Sequence, residues 1–456
     1  PSGSSAMTPP WKTGVKFWLW LAVLAVAGVV CGSRLWLVRT YGSDVPYMDQ
    51  WDAQGQVLYV AKDEGRLSAA DFWRPHNEHR LVLTKILAYT LTYGNGQWDP
   101  LLEMTVNTGF FAGLAGLLGL LAWRQLRGFE ARNKVWAWAW VVGVVGALSC
   151  LPFAWENTLQ GFQSQFVLAE LAAVGGLWLA APASPLSARW WAGVGLGVLG
   201  LGIMSSGFLT LAALLVVLVA RQAWCERRWS WTAALAAGLL LLLCLLGVYL
   251  VQHVSGHDGL RAASVGEGLR ALLCSLAWPA NHWLGWAVLL QAPSLLILSR
   301  AIWRRSLEST DAVMLGVVGW CWLQLAALAY ARGHDLMVAS PRYLDLDALL
   351  VAVNAIALAR LWLERWSGWA AAGVACWSIV FGWGLHAQTV AAYTNYLDGF
   401  AAKRAVERQH LRAFIRSGDW SHLAQAPVSE LPHPSAEVLR RSLSHPGIRA
   451  LLPVGL

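Results

Sequence analysis

The sequence predicts an all-α, polytopic membrane protein, and three observations predict it. Over 456 residues the side chains are 57% hydrophobic and only 13% charged, too few polar groups to cover a soluble fold, so lipid must be the solvent for most of the chain. Apolar runs of roughly 17–25 residues recur, each long enough to cross about 30 Å of hydrocarbon as a helix. These runs, Leu239–Leu250 among them, are uniformly apolar and lack the alternation a membrane barrel requires.

Taken in order, the runs place about eleven spans near 16–38, 101–123, 135–152, 160–181, 189–206, 207–221, 230–251, 280–299, 311–331, 344–363 and 366–386. Residues 1–7, PSGSSAM, read as the scar of a removed expression tag, with Met7 as the native start. A membrane domain then covers 8–386, with a long first loop at 40–100, and a helical tail covers 387–456. The seven cysteines are scattered, mostly inside apolar runs and without a CxxC pair, which argues against a disulfide framework or zinc site.

Segments between alternate spans hold fifteen basic residues: Lys12, Lys16, Arg124, Arg127, Arg132, Lys134, Arg189, Arg221, Arg227, Arg228, Arg300, Arg304, Arg305, Arg360 and Arg365. Five acids accompany them, Glu130, Glu226, Glu308, Asp311 and Glu364, so this set carries +10 in a chain whose net charge is +8. The charge is therefore a topology signal rather than a sign of a nucleic-acid partner. By the positive-inside rule the N-terminus is cytoplasmic and the C-terminus outside. All eleven histidines then fall in or beside the outward segments, which places any chemistry on that face.

In the first outward loop, Asp49 and Asp52 lie three apart at the start of a stretch, Trp51–Ala61, with mixed helical periodicity. On a helix the two carboxylates share a face. With Trp51 and Tyr59 turned to lipid, they sit at the membrane boundary and raise each other's proton affinity, suiting a general base or a divalent cation. The competing assignment makes Asp49 the N-cap of a surface helix. Further on, His76, Asn77, Glu78, His79 and Arg80 directly precede an apolar run of about 13 residues, too short to span comfortably. Such a cluster at the mouth of an interfacial or re-entrant helix points to binding. The His-x-x-His spacing allows a metal held by Asp49, His76 and His79, phosphate binding, or structural hydrogen bonds. No cofactor is required by this pattern, and a divalent metal is compatible with it.

PYMDQWDA (46–53), RPHNEHRL (74–81), the helix to Tyr89 and TYGNG (92–96) follow one another in an order and spacing that resembles the GT-C superfamily of polyprenyl-phosphate-sugar-dependent integral membrane glycosyltransferases. That superfamily has an outward tyrosine-tyrosine-aspartate-glutamate-alanine type stretch after its first span, then lysine-proline-proline-leucine, an apolar helix and an aromatic-glycine turn. The likeness covers mainly residues 16–125. It departs at Gln50, where the family often has a second acid, leaving open whether Asp52 takes that role, and at His76–His79, where polar groups replace proline and leucine. The resemblance implies a GT-C-like fold with interfacial helices in the first loop, a bacterial inner-membrane location and an undecaprenyl- or related polyprenyl-phosphate sugar donor. It maps the family's catalytic aspartate onto Asp49. The acceptor would be a glycan, lipid or protein, and the product a hexosyl or pentosyl transfer in cell-envelope glycan assembly.

Other outward groups fit the same expectation. Glu156, Asn157, Gln160, Gln163 and Gln165 surround Trp155, Phe162 and Phe166, offering a sugar hydrogen bonds and an apolar platform; an interfacial aromatic belt also explains the rings. Glu170 lies deeper, as a functional candidate or a packing partner. Arg332, His334, Asp335, Arg342, Tyr343, Asp345 and Asp347 cluster between the ninth and tenth spans. Many GT-C members carry an arginine-tyrosine pair there, so Arg342 and Tyr343 are expected at the donor phosphate, helped by Arg80 and Arg270. Alternatively, Arg342 pairs with Asp345 or Asp347. His253, His257, Asp258, Arg261, Arg270 and His282 follow the seventh span on a predicted interfacial helix. The tail shows no catalytic constellation, and either caps the site or packs on the outer loops. A flippase for a lipid-linked sugar competes with the transferase, although polar residues on both faces and internal repeats, its usual signs, are not evident. Transfer of a non-sugar group such as phosphoethanolamine would ask for a better-defined metal cluster.

Overall fold

The computed structural model describes residues 10–226, 229–334, 340–364 and 368–456, and side chains outside 10–16 and Ala131. Residues 1–7, the side chains of Lys12 and Lys16, and Arg227, Arg228, Asp335 and Arg365 lie outside the described residues. Among these the chain is about 80% helical with no strand, and ten helices are long and apolar enough to cross a membrane.

In chain order the helices are α1 (Pro10–Tyr41), α2 (Gln50–Tyr59 and Val60–Asp63, one continuous helix), α3 (Ala69–Trp73), α4 (Val82–Asn95), α5 (Pro100–Gln125), α6 (Ala131–Cys150), α7 (Trp155–Leu159), α8 (Ser164–Ala180), α9 (Ala188–Gly200) and α10 (Leu209–Arg221). There follow α11 (Trp231–Leu250), α12 (Val265–Leu276), α13 (Trp286–Arg304), α14 (Ser309–Arg332), α15 (Leu344–Glu364), α16 (Gly368–Ala392), α17 (Phe400–Ser417), α18 (Ser421–Ala424), α19 (Ala436–Ser444) and α20 (Pro446–Leu451). The run expected to span at 189–206 forms only the 13 residues of α9, about 20 Å of helix against about 30 Å of hydrocarbon. It packs so closely on α8 that a Cβ at Gly193 would stand 2.5 Å from the Gly176 carbonyl oxygen. The first loop descends to meet its far end: the Val82 N–H donates to the Gly202 carbonyl at 2.6 Å. The 14-residue α4 is too short to span, as its apolar run predicts.

Two hydrophobic cores are the largest among the described residues. The larger joins α1, α5, α6, α8, α10 and α13–α16 through residues such as Leu121, Val141, Leu177, Trp320 and Ile356. The smaller unites the first loop with the tail: Trp51, Leu58, Tyr59 and Trp98 pack against Leu411, Phe414, Leu439, Leu443 and Ile448. Trp51 and Tyr59 therefore do not face lipid; they are 0% and 1% exposed. The tail supplies the apolar cover that a bilayer would otherwise provide, and the tryptophan rings of 51 and 98 meet edge to face at 5.1 Å.

Because the smaller core shares no residue with the larger, weakening it should loosen the tail before the bundle. Leu439→Ala is expected to cost about 2–5 kcal/mol, seen as accelerated limited proteolysis within 400–456 while the membrane bundle stays resistant. Equal cleavage of the bundle would show that the two cores unfold together.

Candidate functional site

The PYMDQWDA segment is fixed from beneath by a buried polar network. Gln50 accepts from the Tyr47 N–H at 3.0 Å, Gln54 donates to Glu103 at 2.9 Å and accepts from the Trp98 indole N–H at 2.7 Å. Gln50, where the resemblance expects an acid, is fully buried with its amide 3.4 Å from Glu103. A carboxylate there would face a second carboxylate without solvent, so an amide is the residue the position can hold.

From above, the tail grips the same segment. Arg408 pairs with Asp44 at 2.8 Å, Arg404 lies 3.3 Å from the Tyr47 ring centroid, and the Met48 N–H donates to the Pro432 carbonyl at 2.7 Å. Met48 is held in the left-handed backbone region at φ 48°, a conformation that costs a non-glycine residue about 1–2 kcal/mol. This sharp turn presents Asp49 outward with its side chain 39% exposed. Asp49 stands at the N-cap position of α2, as the competing assignment has it, but its side chain makes no capping bond and is left for His76.

Asp49 and Asp52 are not a mutually coupled acid pair, because each has its own histidine. His76 Nε2 lies 3.3 Å from Asp49 Oδ1, and His433 Nε2 lies 3.0 Å from Asp52 Oδ2. Burial works to raise the Asp49 pKa, but the His76 hydrogen bond and the charges of His76, Arg342 and His433 outweigh it and hold the carboxyl below its ordinary value. This is opposite to the mutual elevation expected from spacing. Burial works to lower the His433 pKa, yet its hydrogen bond and charge interaction with Asp52 raise it above the ordinary histidine value.

His76 to His79 form a tight turn, not a helix: the His76 N–H donates to the His79 carbonyl at 2.8 Å and the His79 N–H returns to His76 at 3.0 Å. Asn77 is exposed at φ 50°, and the two imidazoles diverge. His76 turns to Asp49 and Phe162, while His79 Nδ1 lies 2.8 Å from the Ser205 hydroxyl and accepts from the Ser205 N–H at 3.2 Å. Among the described residues no three His, Cys, Asp or Glu side chains are placed to hold a metal ion, so the Asp49, His76 and His79 set is not assembled as one. Glu78 instead ties the turn to the bundle through Arg332 at 3.1 Å and His257 at 2.5 Å.

Arg342 approaches Asp49 from the start of α15. Its guanidinium lies against its neighbour Tyr343, 5.3 Å from the ring centroid, within electrostatic reach of Glu156 and Asp49. The alternative pairings with Asp345 and Asp347 do not occur. Asp345 turns inward to Arg34 at 3.6 Å and to Asn157 at 2.8 Å, and Asp347 turns to Ser275. Glu156 accepts from the Arg342 N–H at 3.2 Å and from the Ser340 hydroxyl, while Asn157 donates to the Arg342 carbonyl at 2.8 Å. These two hold the backbone of Arg342. Gln160, Gln163 and Gln165 are buried and bonded in series, Gln165 to Gln163 at 2.7 Å and Gln163 to Gln160 at 3.1 Å. Glu170 is buried beside Arg34 and Asp345, lining a void of about 30 Å³.

The structure thus brings His76 to Asp49 and Arg342 within electrostatic reach of it, with Tyr343 set between Arg342 and Phe166, Asp52 behind His433, and Asn77, Glu78 and His79 in the adjoining turn. It does not bring in Arg270, exposed on α12, or His334, which lies 3.6 Å from Glu267. Arg80 folds back on the Trp73 carbonyl and ring. Sequence reasoning missed His433, Arg404, Gln54 and Glu103. The only signal for His433 was its membership in the outward histidine set. Fold and site together define a multi-pass, all-α membrane protein with a polar centre at one membrane face. No protein-family profile matches this chain, and no curated protein matches it by sequence.

The histidines set a pH response whose sign follows from their shifts. Burial, reinforced by His76 and Arg332, outweighs the acids nearby and lowers His79 from 6.5 to about 4. The folded state therefore favours neutral His79, and the stability this gives is full above pH 6.5 and lost as pH falls toward 4. Glu78, where burial is outweighed by the His257 and Arg332 contacts, falls from 4.5 to about 2, so its loss begins only below pH 4.5. Thermal unfolding followed by circular dichroism should show Tm falling between pH 6.5 and 4, and His79→Gln should remove that limb while leaving the more acidic one. An unchanged profile in the variant would assign the limb to another group.

Proposed function

We propose that the chain is an inverting, GT-C-type glycosyltransferase that moves a sugar from a polyprenyl-phosphate donor to an acceptor hydroxyl at the outward face of the bacterial inner membrane. The observation that carries this reading is a half-exposed, ionised Asp49 within electrostatic reach of a guanidinium, Arg342, that contacts no carboxylate among the described residues. One group accepts a proton and the other receives a phosphate.

In the proposed reaction the acceptor hydroxyl gives its proton to Asp49 as its oxygen attacks the anomeric carbon. The bond from that carbon to the donor phosphate breaks, and the polyprenyl phosphate leaves with its added negative charge facing Arg342. His76 holds the Asp49 carboxylate in position. The lowered Asp49 pKa keeps the base ionised at neutral pH, and proton acceptance is driven by the oxygen losing its proton late, as the new bond forms. Membrane lipid bounds the site, as the ten apolar helices require.

A flippase reading draws on a different observation, the buried Arg34, Asp345 and Glu170 within the bundle, since intramembrane charge commonly marks a transport path. Movement of the lipid-linked sugar across proteoliposomes without a transferred product would favour it.

The transferase reading is tested in proteoliposomes loaded with the polyprenyl-phosphate sugar that mass spectrometry identifies in the purified protein. Asp49→Asn should lower turnover about 10²–10⁴-fold with donor binding retained, and Arg342→Ala should lower it about 10²–10³-fold while weakening donor binding. Full turnover in Asp49→Asn would remove that carboxylate from the reaction.

A further inference from the structure

On the membrane face opposite the first loop, the ends of α5, α13, α14 and α15 surround an open cavity of about 860 Å³. Its wall carries four arginines, Arg127, Arg300, Arg304 and Arg360, against two acids, Glu308 and Glu364. The acids are not shared evenly. Glu364 bonds to Arg300 and lies 3.2 Å from Arg360, and Asp311 behind the wall lies 2.5 Å from Arg360. Arg127 and Arg304 are exposed on the wall with no ion pair among the described residues. The Nε of Arg300 is buried without a hydrogen-bond partner. Ser309 and Thr310, in the first turn of the 24-residue α14, also line the cavity, adding backbone N–H donors and the positive end of the helix dipole.

We propose that this cavity binds a phosphate-bearing anionic group, with Arg127 and Arg304 as its donors. The donor set is in excess of the acids that could satisfy it. Arginine matches phosphate oxygens with paired N–H groups, and a basic pocket between helix ends at a membrane face is suited to an anionic lipid head group. The volume exceeds that of one phosphate ion and accommodates a glycerophosphate head group. The same chemistry serves a soluble phosphate, so the experiment separates the two sources. This site lies on the opposite face from Asp49 and does not depend on the proposed transfer reaction.

The full chain is reconstituted in phosphatidylcholine nanodiscs with increasing phosphatidylglycerol, and bound lipid is counted by native mass spectrometry. Phosphatidylglycerol should be retained in preference to phosphatidylcholine. The preference should drop by roughly tenfold or more in Arg127→Gln/Arg304→Gln, and should persist in Arg132→Gln/Arg305→Gln, which removes the same charge outside the cavity wall. In the unsubstituted chain it should weaken as NaCl rises toward about 1 M, where the screening length is about 3 Å, a measurement that stands even if a variant misfolds. Displacement of the retained phosphatidylglycerol by millimolar inorganic phosphate supports the site with a soluble ligand. Retention of phosphatidylglycerol against inorganic phosphate supports it with a lipid. No preference over phosphatidylcholine together with no binding of inorganic phosphate overturns the proposal, as does a preference that survives loss of Arg127 and Arg304.

Discussion

The closure of the C-terminal tail over residues 44–63 is the constraint on which the polar centre depends. The turn that aims Asp49 outward contains Met48 in a backbone conformation it would not adopt unaided. The Pro432 carbonyl, Arg404, Arg408 and His433 hold it from one side, and the Gln50, Gln54, Glu103 and Trp98 network holds it from the other. The apolar contacts of Trp51, Tyr59 and Trp98 with Leu439, Leu443 and Ile448 provide the free energy that keeps both sides in register. The tail is thus a structural wall of the site, and its histidine is part of the electrostatic field there.

A second organising effect is the separation of neighbouring charges along one helix start. Arg342 and Asp345 are three residues apart, close enough to pair across a turn, yet they point to different surroundings. Asn157 and Arg34 draw Asp345 into the bundle, while Glu156 and Asn157 fix the backbone of Arg342 at the surface. Arg34, with Phe111 beneath it and Thr158 and the Ser149 carbonyl as further partners, compensates Asp345 inside.

Much of this was legible in the sequence, for reasons that can be stated residue by residue. Uniform apolar runs reveal membrane helices because lipid imposes a length and a composition, and the shortness of α4 follows from its 14 residues. Asp49, His76 and Arg342 stood out as polar residues beside apolar runs. What composition and spacing do not encode is pairing over long separations. Trp51 on an amphipathic stretch looks the same whether its cover is lipid or Leu439, and Asp52 carries no local mark of His433, 381 residues away. The His76–His79 spacing fits a helix as well as a turn, and the choice is made by Ser205, Glu78 and the left-handed Asn77. Of the eleven expected spans, ten are helices of full crossing length among the described residues, and the run at 189–206 is shortened because Gly202 and Ser205 end it against the first loop.

The brevity of α9 has a consequence for the lipid around it. Trp191, Val198 and Leu199 face outward from a helix about 20 Å long, so hydrocarbon of ordinary thickness is mismatched along this edge and must thin or be met by a tilt. The polar turn of 76–81 occupies the step that the missing length leaves. Head groups passing this edge on the loop side ride lower than in the surrounding leaflet, which brings the polar plane of the bilayer down to the level of the His76–Leu81 turn.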